Sequence, residues 1–215
     1  PRVILTEGGS MTDIYVYNQL TKDNNGNIKV DQNGNLGITS SNTPVKVGNL
    51  DADFNLGWTN HFTYKGIDLG IVLSARVGGL AYSATQGILD YYGVSETSAT
   101  ARDNGGIPIN NGKVNAQKYY QTIGTGEGGY GRYYLYSATN VRLQELSLNY
   151  TLPKRWFKNV ANVTLGVVGR NLWMLYCKAP FDPESTASTG TYNQGMDYFM
   201  QPSLRSMGFS AKISF

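Results

Sequence analysis

The chain has 215 residues, 40% of them hydrophobic and only 15% charged, with 26 Gly and 16 Tyr. Few charges with abundant Gly and aromatics suit a β-rich protein with many turns. A net charge of +3 is too slight for a nucleic-acid footprint, and a lone Cys177 excludes an internal disulfide or a thiol–metal cluster. Mean hydropathy is −0.32, and no apolar run nears the roughly 18 residues of a membrane-spanning helix. Barrel strands carry their hydrophobicity in alternate positions, so that absence leaves a membrane barrel open.

Thr12 to Leu20 reads as a weak strand, with Ile14, Val16 and Asn18 opposite Tyr15, Tyr17 and Gln19. A long connection, 21–52, follows. Within it Asn25-Gly26 and Asn33-Gly34 suit type I′ turns framing a short hairpin around 28–30. From Phe54 to Tyr64 one face holds Phe54, Leu56, Trp58, Phe62 and Tyr64, broken only by Asn60. After Lys65, Ile67, Leu69, Ile71, Leu73, Ala75 and Val77 repeat the pattern, which predicts a tight antiparallel hairpin.

Residues 79–137 form a second long connection, in which Ile88, Leu89 and Tyr92 predict one short helix over 84–93. Thr139 to Leu152 alternates but changes phase midway, so a β-bulge near Gln144-Glu145 is expected to keep one apolar face. A short connection, 153–159, leads to Val163–Leu175, where Asn171 falls on the wrong side. After a third long stretch, 177–203, the chain closes on Met207, Phe209, Ala211, Ile213 and Phe215, in strict alternation with Gly208, Ser210, Lys212 and Ser214.

Recurrent alternation over 9–11 residues is the signature of a transmembrane β-barrel, with apolar side chains toward lipid and polar ones toward the lumen. The fold class expected is all-β: about six antiparallel strands from the C-terminal part of a large barrel. Short connections belong on the periplasmic side and long ones outside. Trp58, Trp156, Trp173, Tyr64, Tyr150 and Tyr176 supply aromatic girdles, with Trp58 the poorest fit because it sits nearer mid-strand. The first residues, Pro1-Arg2-Val3-Ile4, carry no export signal, and barrels must be exported. The expectation is therefore that 1–215 is the C-terminal portion of a longer protein.

Several motifs carry no chemistry. Gly124-Thr-Gly126-Glu-Gly-Gly129 matches a dinucleotide pattern but sits in a Gly/Tyr-rich loop with no helix after it. Asp23-Asn-Asn-Gly-Asn27 lacks the closing Glu of a calcium loop. His61 is the only histidine, and no nucleophile or acid/base set converges, so catalysis, cofactor and metal are not expected. Candidate substrate contacts are loop tyrosines Tyr91, Tyr92, Tyr133 and Tyr134, whose rings can stack on sugars or anchor a partner, and lumen-side Asp68 and Arg76. Most loop tyrosines are expected to pack the loop's own core.

The run Val47-Gly-Asn-Leu-Asp-Ala-Asp-Phe54-Asn-Leu-Gly-Trp58-Thr-Asn-His-Phe62-Thr-Tyr64-Lys-Gly66-Ile-Asp68 resembles SusC/RagA-type TonB-dependent outer-membrane transporters. So do Asn140 to Pro153, Gly169-Arg-Asn-Leu-Trp173, Phe181-Asp-Pro-Glu184 and the final strand, in the same order. The resemblance spans roughly 45–215; residues 1–44 match loosely and the Tyr-rich loop not at all. It implies a 22-stranded, plugged barrel, with an N-terminal plug and TonB-contacting segment outside this chain and a SusD-like surface lipoprotein as lid. It also implies import of glycans or oligopeptides across the outer membrane of Bacteroidota, with no nucleic acid involved, and an assembly signal at Phe215. The alternative is a non-transporting surface β-protein, an adhesin or a carbohydrate-binding sandwich, in which the 54–64 apolar face would be packed inside.

Overall fold

The computed structural model describes residues 1–125, 130–158, 160–185 and 195–214. In chain order the elements are β1 (Arg2–Val3), β2 (Asp13–Leu20), β3 (Ile38–Asn49), β4 (Phe54–Tyr64), β5 (Ile67–Val77) and β6 (Leu80–Ser83). Helices α1 (Ala84–Tyr91) and α2 (Glu96–Asp103), strands β7 (Ile107–Ile109) and β8 (Gly112–Val114), and α3 (Ala116–Gly124) come next. Then follow β9 (Leu135–Ser137), β10 (Asn140–Thr151), β11 (Asn162–Cys177), β12 (Met196–Asp197) and β13 (Ser206–Ser214). The chain divides into two compact units, one of residues 1–51, 79–137 and 183–201, the other of 52–78, 138–182 and 202–215.

The second unit is one antiparallel sheet, ordered β13-β11-β10-β5-β4. Five of the expected strands meet here. Register joins Phe62, Leu69, Leu148, Val167 and Phe209 into one apolar row across all five strands. The adjacent polar row runs His61, Gly70, Ser147, Val168, Gly208. Phe62 is 52% and Phe209 91% exposed, and Phe54, Leu56, Ile67, Leu148, Leu165 and Ile213 are exposed as well. The sandwich alternative required this face to be buried.

The expected bulge is present: pairing of β10 with both β5 and β11 slips between Leu143 and Glu145. On β11 the same slip skips Asn171 and Leu172. It returns Trp173 to the apolar side, opposite Leu143, in a row that begins at Trp58. Trp58 therefore shares a row with the other strand tryptophan. Lys65 and Gly66 both have positive φ, the two-residue type I′ turn that right-handed strand twist favours. At this end β10 also turns into β11, whereas the connections 78–139 and 178–205 leave from the opposite end.

The first unit departs further from expectation. The expected sixth strand forms, but β2 pairs with β1 and β3 in a separate three-stranded sheet. Asp13, Ile14, Tyr15 and Val16 are all buried, so both faces are covered and β2 is no lipid-facing strand. β3 occupies part of the expected 21–52 loop, and the β2–β3 pairing slips between Val16↔Val45 and Asn18↔Ser40, a gap that holds Pro44. The Asn-Gly turns form, but only Gly26 and Gly34 have positive φ, so they are not type I′. Each is closed by an aspartate: Asp23 accepts the backbone N–H of Asn25 and Asn27, and Asp31 those of Asn33 and Asn35. Thr21, Lys29 and Gly37 are linked backbone to backbone in a closed ring of three bonds, in place of the expected hairpin.

In the full-length protein Leu69→Arg should destabilise the wall by about 2–4 kcal/mol, whereas Ser74→Arg on the polar face should cost far less; thermal unfolding in detergent measures both. In the first unit the Lys46 ammonium, 2.5 Å from the Asp13 carboxylate, holds it below the usual aspartate range. A depressed carboxylate contributes stability that is present above its unfolded pKa of about 4 and lost as pH falls through the folded value. Acid titration monitored by amide exchange should loosen β2–β3 below about pH 4, and Asp13→Asn should remove that component.

Candidate functional site

Two polar hubs shape the regions able to meet a ligand. The first lies among the helices of the 79–137 segment, where one short helix was expected and three α-helices form among the described residues. Each begins at a side-chain cap: Ser83 accepts from Gln86 N–H, Ser95 from Ser98 N–H, and Asn115 from Gln117 and Lys118 N–H. Buried Asp90 ties α1, α2 and Tyr134 together. It accepts from Gln86 at 2.9 Å, Thr97 at 3.0 Å and Tyr134 at 3.1 Å, and from Ser95. Burial and the Asp90 charge push the Tyr134 hydroxyl well above its ordinary pKa, and burial alone pushes Tyr82 up to about 12. Both stay neutral hydrogen-bond donors at physiological pH.

Two depressions flank α2. The larger, about 570 Å³, is lined by Glu96, Thr97, Thr100, Asn104, Lys113 and Tyr120, among others. The smaller, about 170 Å³, is lined by Tyr91, Tyr92, Arg102, Gln117, Gln121 and again Tyr120. Tyr91 and Tyr92 meet edge to face at 5.1 Å, and Tyr92 is 67% exposed. Hydroxyls, amides and one charge of each sign around aromatic faces are the chemistry that holds a polar oligomer. Sequence reasoning did not single out Tyr120 among the loop tyrosines and missed Arg102; the Ser95 and Asn115 capping signals could have located the helices that carry them.

The second hub lies on the polar face of the five-stranded sheet. Arg142, only 2% exposed, pairs with Asp182 at 2.7 Å and reaches Asn171 at 3.1 Å. Asp182 also accepts from the Ser203 backbone N–H at 3.1 Å and hydroxyl at 2.7 Å, while Asn171 donates to the Ser203 carbonyl. Both ends of the 178–205 connection are thereby clasped to the wall. Asn171, the misfit of the sequence pattern, has φ +52 and serves this clasp from the β11 bulge.

The expected site residues do not converge. Tyr134 is 2% exposed, so it belongs to the loop core and presents no ring face to a substrate. Tyr133 is half-buried, and its hydroxyl accepts a hydrogen bond from the Leu20 backbone N–H at 2.9 Å. Asp68, near the tight-turn end, accepts from Thr63 at 2.9 Å. Arg76 lies eight residues along the same strand, roughly 27 Å away at strand rise, so the two cannot hold one small ligand. Phe215 lies outside the described residues, as does most of the Gly124–Gly129 motif.

An exposed apolar face, an opposite polar face and long connections at one end define a segment of transmembrane barrel wall. No protein-family profile matches the chain. It is 26% identical over 201 residues to the TonB-dependent receptor P3 of Formosa agariphila, covering 90% of this chain and 19% of that protein. In fold it matches the RagAB peptide importer in its closed-closed state (TM-score 0.56, 17% identity, 94% of this chain and 22% of that one). The open-open state matches at TM-score 0.52 and 17% identity, with 94% and 21% covered. The resemblance to SusC/RagA-type TonB-dependent transporters is borne out, and the chain spans about a fifth of the length of these relatives.

Removing the Asp182 carboxylate would strand Arg142 in a buried site, a loss of about 3–5 kcal/mol. Asp182→Ala in the full-length protein should therefore speed amide exchange through 178–182 and 202–205, and Asp182→Glu should partly restore protection.

Proposed function

We propose that this chain is the C-terminal barrel portion of an outer-membrane nutrient importer that takes up glycans or oligopeptides in a TonB-dependent manner. The observation that carries this reading is the apolar row from Phe62 to Phe209, exposed across five strands and backed by a polar face. Such a sheet needs lipid on one side and a wet lumen on the other. The kinship to a TonB-dependent receptor and the likeness to a peptide importer support the direction of transport. A plug and a TonB-contacting segment would lie in the rest of the protein, a SusD-like lipoprotein would cap it, and Phe215 would serve barrel assembly.

In this reading the chain performs no covalent chemistry. The connections 78–139 and 178–205 face outward, Tyr91, Tyr92 and Tyr120 supply stacking surfaces to the incoming oligomer, and Arg76 lies toward the outer end of the lumen wall. Deleting the full-length gene from its host, with growth scored separately on oligopeptides and oligosaccharides, tests it. Growth on one class should fail and return with the gene, and unchanged growth on both would contradict import. A substrate oligomer found this way should bind the Tyr92→Ala protein at least about fivefold more weakly, the cost of losing a useful aromatic anchor. Titration calorimetry checks that.

A further inference from the structure

The turn between β10 and β11 reads Leu152-Pro-Lys154-Arg155-Trp156-Phe-Lys158-Asn-Val-Ala161, with three cations and no acid. Lys154, Arg155, Trp156 and Lys158 are exposed, and Lys65 in the neighbouring short turn adds a fourth cation, placed 5.1 Å from the Tyr64 ring. The carboxylate of this end, Asp68, is on the polar face and engaged by Thr63. Four residues before Lys154, Tyr150 enters an apolar groove of about 500 Å³ with Leu148, Leu165, Val167, Phe209 and Ala211. The groove opens where the small Ala211 falls between Phe209 and Ile213 on the outward row of β13.

We propose that this turn and groove bind an anionic phospholipid of the leaflet at the short-turn end. Lys154, Arg155 and Lys158 hold the phosphate, Trp156 sits at the interface, and one acyl chain follows the groove past Tyr150 and Ala211. Charge complementarity selects this occupant: the phosphate of a zwitterionic lipid is already neutralised by its own ammonium and an apolar protein surface carries none, so neither gives three cations a net counter-charge, whereas an aromatic beside cations is the composition that settles at a membrane interface. The site rests on the membrane-wall reading but is not required by it.

The test uses the full-length protein, with any lipoprotein that co-purifies, reconstituted in nanodiscs of phosphatidylethanolamine with a minor share of cardiolipin and analysed by native mass spectrometry after release. The wild type should retain cardiolipin in excess of its share. The K154Q/R155Q/K158Q variant should lose that excess, with affinity falling about fivefold for each charge removed at low salt, and the loss should shrink as salt screens the wild type. A211L, which fills the groove at an exposed position, should lower retention of both lipids. Equal cardiolipin retention by wild type and the triple variant, or selective retention of lipopolysaccharide instead, would overturn the site. Heat-modifiable migration on gels reports barrel folding of each variant. A wild type that fractionates away from the outer membrane would overturn the membrane-wall reading itself, an outcome distinct from loss of lipid selectivity in a correctly inserted barrel.

Discussion

Inside a bilayer a backbone amide finds no water, so every strand must be paired and every outward side chain must tolerate hydrocarbon. Both demands fall on the register. A slip of one residue would turn Leu146, Leu148 and Tyr150 inward and Glu145 outward. The bulge at Gln144 and the double irregularity at Asn171-Leu172 prevent this, keeping one apolar face from Phe62 on β4 to Phe209 on β13. Wall, turns and long connections all inherit their positions from that continuity.

Irregularities that preserve the outer face also supply the inner one. Asn171 leaves the ladder in a left-handed conformation that Asn tolerates better than most residues, and its amide then meets Arg142 and Ser203. The Asp182 carboxylate completes a clasp at the base of the 178–205 connection. In the other unit buried Asp90 plays a comparable part, gathering α1, α2 and Tyr134. Each hub satisfies a buried charge with several donors or a counter-ion, which makes it costly to break and therefore specific in geometry.

How much the sequence revealed depended on the period of each segment. Strands β4, β5, β10, β11 and β13 were legible almost to the residue, because one face meets lipid and period two is broken only at Asn60 and at the register shifts. The Gln144 bulge was legible from the phase change it corrects. β2 was seen as a strand but misplaced, since burial of Asp13, Ile14, Tyr15 and Val16 on both faces erases alternation. β3 escaped notice because Pro44 and polar neighbours interrupt it, and tertiary pairing with β2 overrides that local pattern. α2 is short and polar, held by its Ser95 cap and by Asp90 more than by an amphipathic stripe, whereas α3 spans only nine residues and packs Tyr119, Tyr120 and Ile123 onto the core of its unit. Of the candidate site, Tyr91 and Tyr92 were legible as exposed aromatics, whereas Tyr120 gained significance only once α3 set it between two depressions.

Side-chain environment along one strand is the most direct test of this account. Single spin labels at consecutive positions 68–74 of β5, in a full-length protein with Cys177 and any other native cysteine replaced by Ser and reconstituted in lipid, report accessibility to oxygen and to a water-soluble nickel complex. Labels at 69, 71 and 73 should be oxygen-accessible and nickel-protected, and those at 68, 70, 72 and 74 should show the reverse or be shielded from both. Uniform protection at all seven positions, or alternation in the opposite phase, would contradict a lipid-facing wall.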